Sequence, residues 1–234
     1  MCELQGSRME KEIGKICAEG LSFFGITNRL ISHELKNVLA IISETLGLME
    51  ELVELSGQGI ELKPEKLRSL SASIMEEVQR ANAIAGNMNT FAHGVDEFIR
   101  DVDIRRIVAL VIELSQLEAS LKKIKLRLEP GEPCTVYTSP FFLANLIFRV
   151  VKASSRYVGP GDETRVSFDS QNDGVRVVFS GIASNSIEGF PTETDSFLAK
   201  ALSARISINV AANELNITLP KKIGESPIQI LHGR

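Results

Sequence analysis

Leu35-Lys36-Asn37-Val38-Leu39-Ala40-Ile41-Ile42-Ser43-Glu44-Thr45-Leu46-Gly47-Leu48-Met49-Glu50-Glu51-Leu52-Val53 is the stretch whose reading decides the fold. Its apolar residues at Leu35, Leu39, Ile42, Leu46, Met49 and Val53 alternate steps of four and three, the spacing of a heptad seam on an α-helix. Ser56-Gly57-Gln58-Gly59 breaks that helix, and Pro64 suits the first turn of the next. The second helix repeats the pattern at Leu67, Ile74, Val78, Ala81, Ala85, Met88, Ala92, Val95 and Ile99. Two heptad helices on a short loop predict an antiparallel hairpin. One hairpin has a single seam to bury, so two copies are expected to pair as a homodimeric four-helix bundle.

Beyond the hairpin the pattern changes. Val102 to Ile104 reads as a short extended piece and Arg105 to Leu121 as an amphipathic helix. Lys125 to Leu128 alternates like a strand, up to the turn Glu129-Pro130-Gly131-Glu132-Pro133. Val136 to Thr138 is a further short strand, and Ser139-Pro140 opens a helix to about Tyr157, broken by Gly159-Pro160-Gly161. Arg165 to Asp169 and Val175 to Ser180 predict a hairpin around Gln171-Asn172-Asp173-Gly174. A polar loop from Ile182 to Thr194, a helix from Ser196 to Ala204, and strands at Ile206 to Ala211 and Leu215 to Leu219 complete the chain. The expectation is an α/β domain, helices on one face of a mixed sheet, over residues 101–234, after a helical domain over 1–100.

Composition sets limits on partners. The chain has 234 residues, 44% of them hydrophobic and 24% charged, enough to bury a core in each of two small domains. A net charge of −4 gives no basic footprint for nucleic acid. The run Lys122, Lys123, Lys125, Arg127 interleaves with Leu121, Ile124, Leu126 and Leu128, and reads as the solvated side of an amphipathic segment. Cys2, Cys17 and Cys134 fit neither a zinc set nor a disulfide framework, so a reducing cytoplasm is expected. No apolar run nears the ~20 residues that span a bilayer, and the opening MCELQGSRMEKEIGK lacks the apolar centre of a signal peptide; no membrane contact is expected.

Chemistry concentrates in Ile31-Ser32-His33-Glu34-Leu35-Lys36-Asn37-Val38-Leu39. With Leu35, Leu39 and Ile42 on the seam, His33 lies two positions off it, facing solvent. Glu34 adjoins it and Asn37 lies one turn on along the same face. A lone surface histidine is ordinarily an inert solvated side chain. This one sits on a dimerising heptad helix after the apolar lead-in Leu21-Ser22-Phe23-Phe24-Gly25-Ile26. A neutral imidazole is nucleophilic near neutral pH, an adjacent carboxylate can orient the ring and take its other proton, and an amide one turn away can hold a water. These types in this order suit phosphoryl chemistry.

Ser32-His33-Glu34-Leu35-Lys36-Asn37, followed by Val38-Leu39-Ala40-Ile41-Ile42, resembles the phospho-acceptor box of sensor histidine kinases, with Val38 where the family usually has proline. The resemblance extends over nearly the whole chain. Arg80 and the Asp101-Val102-Asp103-Ile104 strand look like the family's passage from dimerisation domain to ATP-binding domain of the GHKL type. Asn145-Leu146-Ile147-Phe148-Arg149-Val150-Val151-Lys152-Ala153 resembles its asparagine box. The resemblance implies His33 as phospho-acceptor, with Glu34, Lys36 and Asn37 beside it.

The frame matches where the nucleotide chemistry departs. Asn145 keeps the first motif position, whereas the second asparagine, which holds magnesium on ATP in the family, is Arg149; a cation does not coordinate a cation. In the next motif Phe179 stands at the aspartate that binds adenine, Gly181 at the first glycine and Ala183 at the second. Where a glycine-rich phosphate loop is expected, Thr192-Glu193-Thr194-Asp195-Ser196-Phe197-Leu198 has no glycine and two acids, which repel phosphate. The implied fold is a degenerate GHKL-type α/β sandwich without ATP or resident metal. Arg149 can bind an anion or pair with Asp195.

Three functions follow from the resemblance. The first is a histidine phosphotransfer protein, relaying phosphate between response-regulator receiver aspartates through His33, the receiver supplying its own magnesium. Lys36 would meet the phosphate or an acidic receiver rim. The second is a receiver phosphatase or scaffold using Glu34 and Asn37, with His33 dispensable. The third is an active soluble histidine kinase with a divergent ATP site. His93, His232 and the phenylalanines Phe23, Phe24, Phe141 and Phe142 read as surface, tail and core residues, and Asn145 as a satisfied helix polar group.

Overall fold

The computed structural model describes residues 2–182, 187–224 and 226–232, with the backbone alone described at 2–9, 117 and 230–232. A helical region is followed by a mixed α/β domain, the order expected from the sequence. The helices are α1 (Cys2–Gly57) and α2 (Pro64–His93), separated at the glycine-containing break and restarted at Pro64. There follow β1 (Arg100–Asp103), α3 (Ile104–Leu121), β2 (Lys125–Leu128), β3 (Thr135–Thr138), α4 (Pro140–Ser154), β4 (Glu163–Gln171), β5 (Gly174–Ser180), α5 (Glu193–Ala201), β6 (Arg205–Asn209), β7 (Glu214–Pro220) and α6 (Pro227–His232). Each expected strand and helix is present; α2 ends at His93, so Val95 and Ile99, expected on its seam, lie in the turn that follows it, and α6 is an addition. Among the described residues no helix is long and apolar enough to cross a membrane.

The chain forms two compact units, one of residues 26–90 and one of residues 1–25 with 91–234. Gly20 and Phe23 of α1 pack within the second of these units. A Cβ on Gly20 would stand 3.2 Å from the Phe142 ring and 3.3 Å from that of Phe141, an approach a larger residue would crowd. Phe23 then joins Phe91, Phe141 and Phe148, at ring-centroid distances of 5.4, 5.4 and 5.6 Å. Edge-on and tilted contacts of this kind bury much apolar area, and they tie this part of α1 to α4. Phe23, Phe141 and Phe142 are core, as expected; Phe24 stays 40% exposed and stacks on Phe91.

In the helical unit the buried line of α1 is Ile31, Val38 and Thr45, spaced by sevens, with Ile42, Met49 and Leu52 half-buried. The line expected as the seam differs: Leu35, Leu39, Leu46 and Val53 are 36%, 53%, 47% and 59% exposed. The helix carries apolar residues on two faces, and its own hairpin partner covers only one. Along α2, Leu67, Ile74 and Ala81 are half-buried, as expected of a seam, whereas Val78, Ala85 and Met88 are exposed.

The second unit is built on a five-stranded sheet ordered β2-β4-β5-β7-β6, with β2 parallel to β4 and the other pairs antiparallel. A separate two-stranded sheet pairs β1 with β3. Alternation along the strands aligns apolar rows across the large sheet: Val166, Phe179, Leu215; Phe168, Val177, Ile217; and Val175, Leu219. All are buried, as one face of a half-covered sheet must be. α4 is buried at every position but Arg149 and Lys152, which marks it as the central helix. The basic run keeps Lys123, Lys125 and Arg127 exposed while Ile124 and Leu126 are buried.

Candidate functional site

His33 lies on the exposed side of α1, five residues before buried Val38 and two after buried Ile31. Helical spacing of four brings Asn37 beside it, and Asn37 Nδ2 stands 3.2 Å from His33 Nδ1. Glu34 behaves differently from the expectation. Its carboxylate accepts a hydrogen bond from Arg80 of α2 at 2.7 Å, and Arg80 also pairs with Glu77 at 3.5 Å. Helix geometry explains the change: Glu34 is three residues from Ile31 and four from Val38, so it points toward α2, whereas His33 points away. Its side chain is 19% exposed, and a half-buried carboxylate is held strongly by a charged guanidinium. The ring nitrogen thus meets an amide and the carboxylate meets a guanidinium. Lys36 is exposed. Helical spacing alone brings His33 and Asn37 together, as expected, whereas the partnership of Arg80 with Glu34 depends on how α2 meets α1 and has no local sequence signal.

The positions that resemble a nucleotide site lie in the other unit. Arg149, on α4, bonds through Nε to the Asp195 carboxylate of α5, and its Nη1 stands 3.5 Å from Glu19 of α1. Asp195 is 2% exposed and caps its own helix: Thr192 donates to it from N at 2.8 Å and from Oγ1 at 2.6 Å, and Asp195 N donates to Thr192 Oγ1 at 3.2 Å. That reciprocal capping box satisfies the first turn of α5. The two acids read as hostile to phosphate are therefore first-turn residues of a helix that starts at Glu193, three residues earlier than expected. The expected pairing of Arg149 with Asp195 is present.

Asn145 is 2% exposed and, among the described residues, its Nδ2 has no hydrogen-bond partner, contrary to the expectation of a satisfied polar group. Phe179 is fully buried in the apolar row between Val166 and Leu215. Gly181 has φ +85°, and a Cβ there would lie 2.4 Å from Glu163 O. The glycine is demanded by the backbone whatever the chain binds. Ala183 lies outside the described residues. A pocket of about 230 Å³ beside Glu19 and α5 is lined by Lys15, Ala18, Glu193, Thr194 and Phe197, with Lys15 and Glu193 3.6 Å apart.

His93 Nδ1 pairs with Asp96 at 2.6 Å on the surface. Cys17 is exposed and Cys134 buried. Burial first, then the charges of Asp169, Asp103 and Glu132, push the Cys134 thiol up, so it stays protonated and unreactive at neutral pH. Among the described residues no three histidines, cysteines or carboxylates gather as metal ligands. The side chain of His232 lies outside the described residues.

No family model and no curated protein matches the chain. Solved structures do. The Acinetobacter baumannii histidine kinase AdeS is 15% identical over 81% of this chain and 98% of its own, with a TM-score of 0.43. A bacterial phosphotransferase is 14% identical over 85% of this chain and 95% of its own, TM-score 0.47. The catalytic domain of histidine kinase ThkA is 14% identical over 54% of this chain and 99% of its own, TM-score 0.45. The structural neighbours are thus histidine kinases and a phosphotransferase, each at low identity.

Proposed function

We propose that this chain is a two-component signalling protein that relays phosphoryl groups between receiver-domain aspartates through His33, without ATP. The observation that carries the reading is the exposed His33 ring with the Asn37 carboxamide on one nitrogen, on a heptad helix. In transfer, a ring nitrogen attacks the phosphorus of an aspartyl phosphate, the N–P bond forms, and the P–O bond breaks with its electron pair leaving on the receiver carboxylate. Phosphohistidine is close to an acyl phosphate in transfer potential, so positioning carries most of the catalysis. Lys36 supplies a charge for the phosphate or for an acidic receiver rim. Magnesium arrives with the receiver.

The residues at the nucleotide positions do not fit a magnesium nucleotide. Arg149 is a cation already engaged by Asp195 and Glu19, and Phe179 belongs to the apolar core. The pocket nearby offers two carboxylates, Glu19 and Glu193, against Lys15, a poor lining for polyphosphate. The exposed line Leu35, Leu39, Leu46 and Val53 supports a homodimer in which a second hairpin covers it.

A second reading, receiver phosphatase action, is favoured by the spacing of Glu34 and Asn37 and by the position of the half-buried Asn37 beside the exposed His33. In that case His33→Ala leaves receiver dephosphorylation intact and Asn37→Ala abolishes it.

Calorimetric titration with Mg-ATP tests the nucleotide part directly. The expected result is no heat at millimolar nucleotide and no labelling of the protein by γ-labelled ATP. Binding near one nucleotide per chain would make the protein a soluble histidine kinase instead.

A further inference from the structure

We infer that Asn37 is a lock on the His33 ring: its amide nitrogen donates to Nδ1, confines the ring proton to Nε2, and so keeps Nε2 from attacking until the carboxamide turns over. The inference rests on the reading of His33 as phospho-acceptor and concerns the regulation of that site.

A neutral imidazole has one N–H and one lone pair, on different nitrogens, and the hydrogen bond made by one nitrogen fixes the state of the other. Asn37 Nδ2, which can only donate, faces His33 Nδ1 at 3.2 Å. Nδ1 must then be the acceptor and Nε2 the N–H. With Nδ1 covered by Asn37, Nε2 is the nitrogen left to meet a docked phosphate, and in this state it has no lone pair to offer.

The carboxamide has a second face. Turned by half a rotation, it presents Oδ1 to the ring at a similar distance, accepts the Nδ1 proton and frees the Nε2 lone pair. Transfer then balances: Nε2 bonds to phosphorus, the receiver carboxylate leaves with the electron pair, and the Nδ1 proton stays shared with Oδ1. A carboxylate on Nδ1 would always permit attack, because it only accepts. The neighbouring carboxylate is withheld, since Arg80 holds Glu34 at 2.7 Å. An amide in its place gives the ring an off state as well as an on state.

The test reads the neutral ring by ¹⁵N chemical shifts of His33 in the free protein, at a pH where the ring is uncharged. The share of the Nδ1–H tautomer is expected to be lowest in wild type, higher in Asn37→Ala, where solvent replaces the donor, and highest in Asn37→Asp, where an acceptor replaces it. Glu34→Gln is expected to match wild type. Phosphate acceptance by Asn37→Ala from one charged receiver should then be several-fold faster than by wild type. Equal tautomer shares in wild type and both Asn37 variants, or a shift caused by Glu34→Gln alone, would overturn the lock. Because the shifts are read without a receiver, they fail separately from the relay: tautomers in the stated order with no transfer from any receiver would refute the relay and leave the lock in place.

Discussion

Arg80 of α2 holds the carboxylate of Glu34 at 2.7 Å, and so removes from His33 the acid that stands beside it in the chain. The pair crosses the hairpin and ties two helices together. Arg80 is 46% exposed, which screens the attraction and limits its worth to about 1 kcal/mol or less. Arg80→Ala is accordingly expected to lower hairpin stability by no more than that in urea unfolding. It is also expected to leave phosphate acceptance by His33 in place.

Arg149 and Asp195 make a pair of the opposite kind. Asp195 is nearly fully buried and keeps its bonds to Thr192 when the arginine is removed, but loses its counter-charge. Asp195 is buried but Arg149 is 29% exposed, so breaking this part-buried pair costs about 1–3 kcal/mol. Arg149→Ala is expected to destabilise the α/β unit by roughly that amount in chemical denaturation, with no gain of nucleotide binding. A neutral effect on stability would mean that the pair is not held in solution.

Gly181 survives for the backbone. At φ +85° with Glu163 O in the way of a Cβ, Gly181→Ala is expected to cost about 1–3 kcal/mol. Thermal unfolding of the variant checks it, and a wild-type melting temperature would contradict it.

The exposed line on α1 is expected to be the dimer face. Leu39→Glu with Leu46→Glu should leave the buried line Ile31, Val38, Thr45 untouched while placing charges where a second copy packs. Light scattering is expected to give the mass of two chains for wild type and of one chain for the double variant, with helical circular dichroism retained.

How legible all this was follows from the range of the interactions. The exposure of His33 and its proximity to Asn37 depend only on helical periodicity and were readable. Strands β2, β4, β5 and β7 announced themselves by alternation and turn residues. The bond between Glu34 and Arg80 depends on hairpin register, and that between Arg149 and Asp195 on how α4 meets α5; neither has a local signature. α1 has apolar residues on two faces, and periodicity alone does not say which faces α2: Ile31 and Val38 form the buried line, and the Leu35 line is exposed. α6 spans six residues, too short for any period to register. Residues 10–25 continue the helix of the hairpin without a break in the sequence pattern, while Gly20 and Phe23 among them pack against α4.

The most direct measurement is transfer of labelled phosphate from charged receiver domains of the same cell to the purified chain, in nucleotide-free buffer, with His33→Ala in parallel. The account predicts rapid appearance of an acid-labile, alkali-stable phosphoprotein in wild type and none in the variant. Label in neither from any receiver, or equal label in both, would contradict the claim that His33 carries the phosphate.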